Sequence, residues 1–133
     1  MIETVADILR DAYANGGGTY FVSVQRNRIM VGKSLIPTGY YVGTEGNEWC
    51  ISRFELSEDA INQFIIQNFG TLTNGDNYLG IWQAESGRWY LDVSEHVSNR
   101  ENAVALGAAR KQLAVWDIAR GREISTVGIL EFA

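Results

Sequence analysis

Residues that usually announce a chemistry are scarce in this sequence: one cysteine, one histidine and one proline in 133 positions. A single Cys50 excludes an intramolecular disulfide and any thiolate metal cluster built by one chain. A single His96 leaves no histidine pair, and the pattern calls for neither a metal nor a cofactor. No stretch approaches the roughly 18 apolar residues of a membrane span, and residues 1–7 lack the basic region and apolar run of a signal peptide. A cytoplasmic protein with no membrane association is therefore expected. Positive charge is also short, with 11 Lys and Arg against 16 Asp and Glu, a net charge of −5 and a pI near 4.8. That balance opposes the phosphate attraction on which direct nucleic-acid binding depends.

What is present is core-forming material. Apolar residues make up 46%, charged residues 20%, and the aromatics comprise four Trp, six Tyr and five Phe. A chain of this length and composition can bury enough surface to fold as one domain, and 1–133 is read as a single domain.

Val5, Ile8, Leu9, Ala12 and Tyr13 recur at helical spacing, with Thr4 as cap and Asp7 three residues later, which predicts a helix over 3–14. Asn15-Gly16-Gly17-Gly18 stops it. Strands are predicted over 19–24, 28–32 and 40–42, with a turn at Gln25-Arg26-Asn27, and a fourth near 49–54. Ser57-Glu58-Asp59 opens a second helix whose apolar face is Ala60, Ile61, Phe64, Ile65 and Phe69. Ser98 and Glu101 have capping-box spacing for a third helix running to about Lys111. Its small residues around Gly107 suit close approach to a sheet, with a flexible kink at Gly107 as the alternative. Strands over 114–118 and 123–127 flank a turn at 119–122, and the apolar segment 128–132 is expected to pair or pack. The order predicts an α+β fold: a mostly antiparallel sheet built from hairpins, with three helices packed on it.

The most informative stretch is a hairpin from Tyr78 to Val97. Strands 78–84 and 88–97 are joined by Glu85-Ser86-Gly87, with glycine where a left-handed residue is needed. The implied register opposes Ala84 to Arg88, Trp82 to Tyr90, Gly80 to Asp92 and Tyr78 to Ser94. By alternation, Leu79, Ile81, Trp89, Leu91, Val93 and Val97 share the core face. The other face carries Tyr78, Trp82, Arg88, Tyr90, Asp92, Ser94 and His96. Large aromatics among a few polar groups are what a ligand or partner surface offers. Ordinary cross-strand packing, or cover from the third helix, is the structural alternative.

The remaining motifs carry less. His96 and Asp92 are four residues apart on a strand, about 13 Å, too far to touch. The triple glycine follows a helix and precedes a strand, the reverse of a phosphate-binding loop. Gly32-Lys33-Ser34 lacks the upstream glycine of a nucleotide-binding loop, because position 27 is Asn. Arg26, Arg28 and Lys33 read as a solvated hairpin end. Cys50, between Trp49 and Ile51, reads as a buried, inert thiol.

Tyr78-Leu79-Gly80-Ile81-Trp82, Trp89-Tyr90-Leu91-Asp92-Val93, the alanine-rich 103–109 and Gln112-Leu113-Ala114-Val115-Trp116-Asp117-Ile118 together form a pattern. It resembles a module of uncharacterised small proteins of actinobacterial phages and prophages, over about residues 78–124. The resemblance implies a phage accessory product acting in a bacterial host cytoplasm, and carries over no catalytic residue.

Three readings follow. The first is a non-enzymatic binding protein using the face of Tyr78, Trp82, Arg88, Tyr90, Asp92 and His96 for a protein partner, a small ligand or a second copy of itself. The second is a small hydrolase or nucleotide-modifying enzyme using His96. The third is an acidic nucleic-acid mimic, which needs Glu45, Glu48, Glu55, Glu58 and Asp59 along one surface.

Overall fold

The computed structural model describes residues 3–127. Helix α1, Val5–Asn15, starts where Thr4 and Asp7 exchange hydrogen bonds. The Thr4 amide donates to Asp7 Oδ2 at 2.9 Å and the Asp7 amide to Thr4 Oγ1 at 3.2 Å, so each satisfies a backbone donor the helix cannot. Gly16, at φ 73°, ends the helix, but the stop is shorter than expected, since Gly17 and Gly18 already belong to strand β1, Gly17–Gln25. Strand β2, Arg28–Lys33, returns through Arg26 and Asn27, both at positive φ, the geometry of a two-residue hairpin turn.

After them come β3 (Tyr40–Gly43), β4 (Trp49–Ile51), α2 (Glu58–Gln67), α3 (Phe69–Leu72), β5 (Asn77–Gln83), β6 (Trp89–Val97), α4 (Arg100–Ala109), β7 (Ala114–Asp117) and β8 (Arg122–Ser125). The fold is α+β, with antiparallel strand pairing as the sequence predicts. The short α3 is a fourth helix beyond the three expected. α4 begins one residue later than its capping box implied. Asn99, not Ser98, is the cap, its side chain accepting from the Asn102 amide at 2.9 Å. The segment 128–132 lies outside the described residues.

The chain divides into two compact units, each drawn from two stretches: residues up to Ser34 with Asn47–Val93, and Leu35–Gly46 with residues from Ser94 onward. In the first, the strands run β2-β1-β5-β6, and β4 also pairs with β6. Ile8 and Ala12 of α1, Ile61, Phe64 and Ile65 of α2, and Leu72 of α3 bury one sheet face, meeting Leu79, Ile81, Trp89, Leu91 and Val93. This is the core face the alternation identified. Trp49 and Ile51 pack against the same cluster, with the Trp49 and Phe64 rings edge to face at 5.1 Å.

Tyr20 anchors α1 to this unit. Its ring is fully buried, and its hydroxyl donates to Asp11 Oδ2 at 2.6 Å, while Lys33 Nζ donates to Asp11 Oδ1 at 3.0 Å. Partial burial works to raise the Asp11 carboxyl, but the Tyr20 and Lys33 hydrogen bonds outweigh it and hold the group below its ordinary 3.8. Tyr20→Phe is expected to cost about 1–2 kcal/mol at pH 7 by denaturant unfolding. Because the folded-state value is depressed, this stabilisation is complete above the unfolded value and is lost as pH falls through the folded one. The gap between wild type and Tyr20→Phe should therefore narrow below about pH 4.

In the second unit, β3 lies between residues 94–97 of β6 and β7, and β8 closes the far edge. Val42, Ala103, Val104 and Val115 form its core, with Val97 and Leu106 against them. The small residues of α4 serve the close approach expected of them. A Cβ at Gly107 would come within 2.7 Å of Val115 Cγ1 and 3.1 Å of Thr126 Cγ2. Arg110 at the helix end donates to Glu95 at 2.7 Å.

Candidate functional site

The β5–β6 connection has the geometry its sequence dictates. Gly87 sits at φ 91°, the Gly87 amide donates to Ala84 O at 2.9 Å, and the Ala84 amide donates to Arg88 O at 2.9 Å. Alternation from that point sends Leu79, Ile81, Trp89, Leu91 and Val93 into the core and turns Trp82, Arg88, Tyr90 and Asp92 outward. The Trp82 and Tyr90 rings stack at 4.3 Å between centroids and 10° between planes, and Trp82 remains 42% exposed. Tyr78 and Asp92 are half-buried, and Arg88 is exposed.

Polar groups are built around the stack. Trp82 Nε1 donates to Asp92 Oδ2 at 3.4 Å. Asp92 reaches over the backbone of Gly80, where a Cβ would collide with Asp92 Oδ1. Burial, and the charge of Asp76, raise the Tyr78 phenol above its ordinary value, so it is a neutral hydroxyl at physiological pH.

Strand β4 brings two residues that the sequence reading did not place here. Its register sets Trp49 against Leu91, Cys50 against Tyr90 and Ile51 against Trp89. Trp49 and Ile51 therefore point inward and Cys50 outward, so the expectation that Cys50 is buried is overturned. Its apolar neighbours were read as signs of burial, whereas in a strand they mark the opposite face. Arg88 Nε donates to Cys50 Sγ at 3.0 Å. Hydrogen bonds from Arg88 and from the Tyr90 hydroxyl hold the thiol below its ordinary 9.0, against desolvation and then the charge of Glu48. The rate of Cys50 alkylation by iodoacetamide should consequently rise at lower pH than for a free cysteine. Arg88→Ala is expected to move that profile upward and slow alkylation several-fold at pH 7. An unchanged profile would show that Arg88 does not act on the thiol.

Glu48, on the same side, is exposed, yet partial desolvation of its carboxyl and then the charge of Asp92 push it above the usual carboxylate range. Among the described residues Glu48 has no ion-pair partner. Asp92 thus accepts from the exposed indole, and the β4–β6 register brings Glu48 toward Asp92.

His96 is not part of this arrangement. It belongs to the second unit, where its Nε2 donates to Thr38 O at 2.9 Å and its ring meets Tyr41 edge to face at 6.0 Å. Gly39 lies against the ring so closely that a Cβ would strike Nε2. The imidazole is a positioned donor to the backbone. Of the six predicted site residues, Trp82, Arg88, Tyr90 and Asp92 form one connected cluster with Cys50 and Glu48. Tyr78 lies on β5 four residues before Trp82, and His96 belongs to the second unit.

The carboxylates named for nucleic-acid mimicry occupy different elements. Glu48 stands beside Asp92 on the outward side, whereas Glu58 and Asp59 form the first turn of α2, the helix on the core face. Glu45 belongs to the second unit, where it faces Lys111 at 3.8 Å.

No helix among the described residues is long and apolar enough to cross a membrane. Comparison with known proteins gives no match: no family model fits the chain, and neither a curated protein nor a solved structure matches it.

Proposed function

We propose that this chain is a non-enzymatic binding protein whose working surface is the outward face of β5, β6 and β4, centred on the Trp82 and Tyr90 stack. The observation that carries the reading is the exposure of Trp82 in that stack. Helices α1, α2 and α3 supply the core of the first unit from the other side of the sheet, and Trp82 is left 42% exposed. Stacked aromatics with a donor and two carboxylates at their edges offer area at low entropic cost, with polar groups to fix orientation. The resemblance of residues 78–124 to phage and prophage proteins is the ground for proposing an accessory role in a host cytoplasm.

Alanine at both Trp82 and Tyr90 is the test. Association is expected to be lost while the fold is kept, and a double variant that simply unfolds would show this face to be core.

A further inference from the structure

Resting on that reading of the face, the structure points to its occupant, and we infer that it is an arginine-bearing basic segment of a protein partner. Charge complementarity carries the argument. The β4–β6 register, with Trp49 opposite Leu91, carries Glu48 toward Asp92, Asp92 accepts from the exposed Trp82 indole, and Glu48 has no ion-pair partner among the described residues. Arg88, the cation within the cluster, is turned to Cys50 and also feels Glu55. A ligand that brings positive charge relieves the repulsion between the two carboxylates. Another carboxylate or a phosphate adds to it.

The aromatic stack narrows the cation further. A guanidinium is planar and weakly hydrated, so it lies flat on an indole and at the same time forks its donors to a carboxylate. An ammonium is a compact, strongly hydrated point charge with no planar fork. The net charge of −5 adds long-range attraction for a basic segment and repels nucleic acid.

The test is a titration of the full chain with a hexa-arginine peptide at low salt, followed by residue-resolved NMR, with hexa-lysine and hexa-glutamate as comparison peptides. Hexa-arginine should shift the Trp82 indole N–H and the amides of β4, β5 and β6 first. Hexa-lysine should bind several-fold more weakly, and hexa-glutamate should not bind. Glu48→Gln and Asp92→Asn should each weaken hexa-arginine binding about tenfold, while Glu58→Gln with Asp59→Asn on α2 should change it less than twofold. Equal losses in the two sets, or shifts spread over the whole surface, would overturn the inference by showing attraction to net charge alone.

The responses of Trp82 to other ligands separate the two claims. If it responds to rising protein concentration or to an uncharged ligand and not to hexa-arginine, the occupant is wrong and the binding face stands. If none of these reaches Trp82, both fail.

Discussion

Gly17→Ala is expected to destabilise the fold by about 3 kcal/mol or more, the range of mutations that combine backbone strain with a steric clash. Gly17 is the first residue of β1 and lies opposite Trp82 in β5, at φ 139°, a conformation that a side chain rarely adopts. A Cβ there would collide with Ile81 O and stand 2.7 Å from Trp82 Cα. Both are backbone atoms and cannot rotate away, so the start of the β1–β5 ladder has to open. Gly16 provides the comparison. It is left-handed at φ 73° but has open space around it, so Gly16→Ala should cost only about 1 kcal/mol. Chemical denaturation of the two variants measures the difference, and equal costs would mean that the close strand approach is not as described.

The double change Trp82→Ala with Tyr90→Ala should divide stability from binding. Since the stack is exposed and rests on a sheet whose core lies on the other face, its loss should lower the unfolding midpoint by only a few degrees. Trp89, 1% exposed on the inward side of the same strand, should cost about 3–5 kcal/mol when truncated to alanine. Association should show the reverse order. Truncating a central aromatic anchor commonly costs at least about 2 kcal/mol of binding, roughly a thirtyfold loss of affinity. A double variant as unstable as Trp89→Ala would place the stack in the core and remove the proposed surface.

How much of this was readable in the sequence depended on the range of the interactions. The Thr4 and Asp7 cap, the apolar face of α2 and the Trp82 and Tyr90 pairing follow from residues close in sequence, and the sequence showed them directly. Gly107 was legible because a helix tolerates glycine when something presses against it, and Val115 does. Where two caps competed, Ser98 lost to Asn99, since both side chains can accept an amide and only the packing of α4 decides. Cys50 was misplaced because β4 has three residues, too few for alternation to stand out against the apolar character of Trp49 and Ile51. The pairing of β1 with β5, of β4 with β6 and of β3 with both β6 and β7 joins residues far apart in sequence, and no local signal announces it. That is why Glu48 was absent from the predicted site and His96 was included. One reaches Asp92 only through β4, and the other shares a strand with the cluster yet is held by Thr38 and Tyr41.

The central claim is that the Trp82 and Tyr90 face is open in the free chain and covered when the protein works. Hydroxyl-radical footprinting of the four tryptophans, read by mass spectrometry in the free chain and with a bound ligand, tests it most directly. The account predicts rapid oxidation of Trp82 in the free chain, slow oxidation of Trp89, and selective protection of Trp82 in the complex. A Trp82 as protected as Trp89 in the free chain, or one left unprotected in the complex, would contradict it.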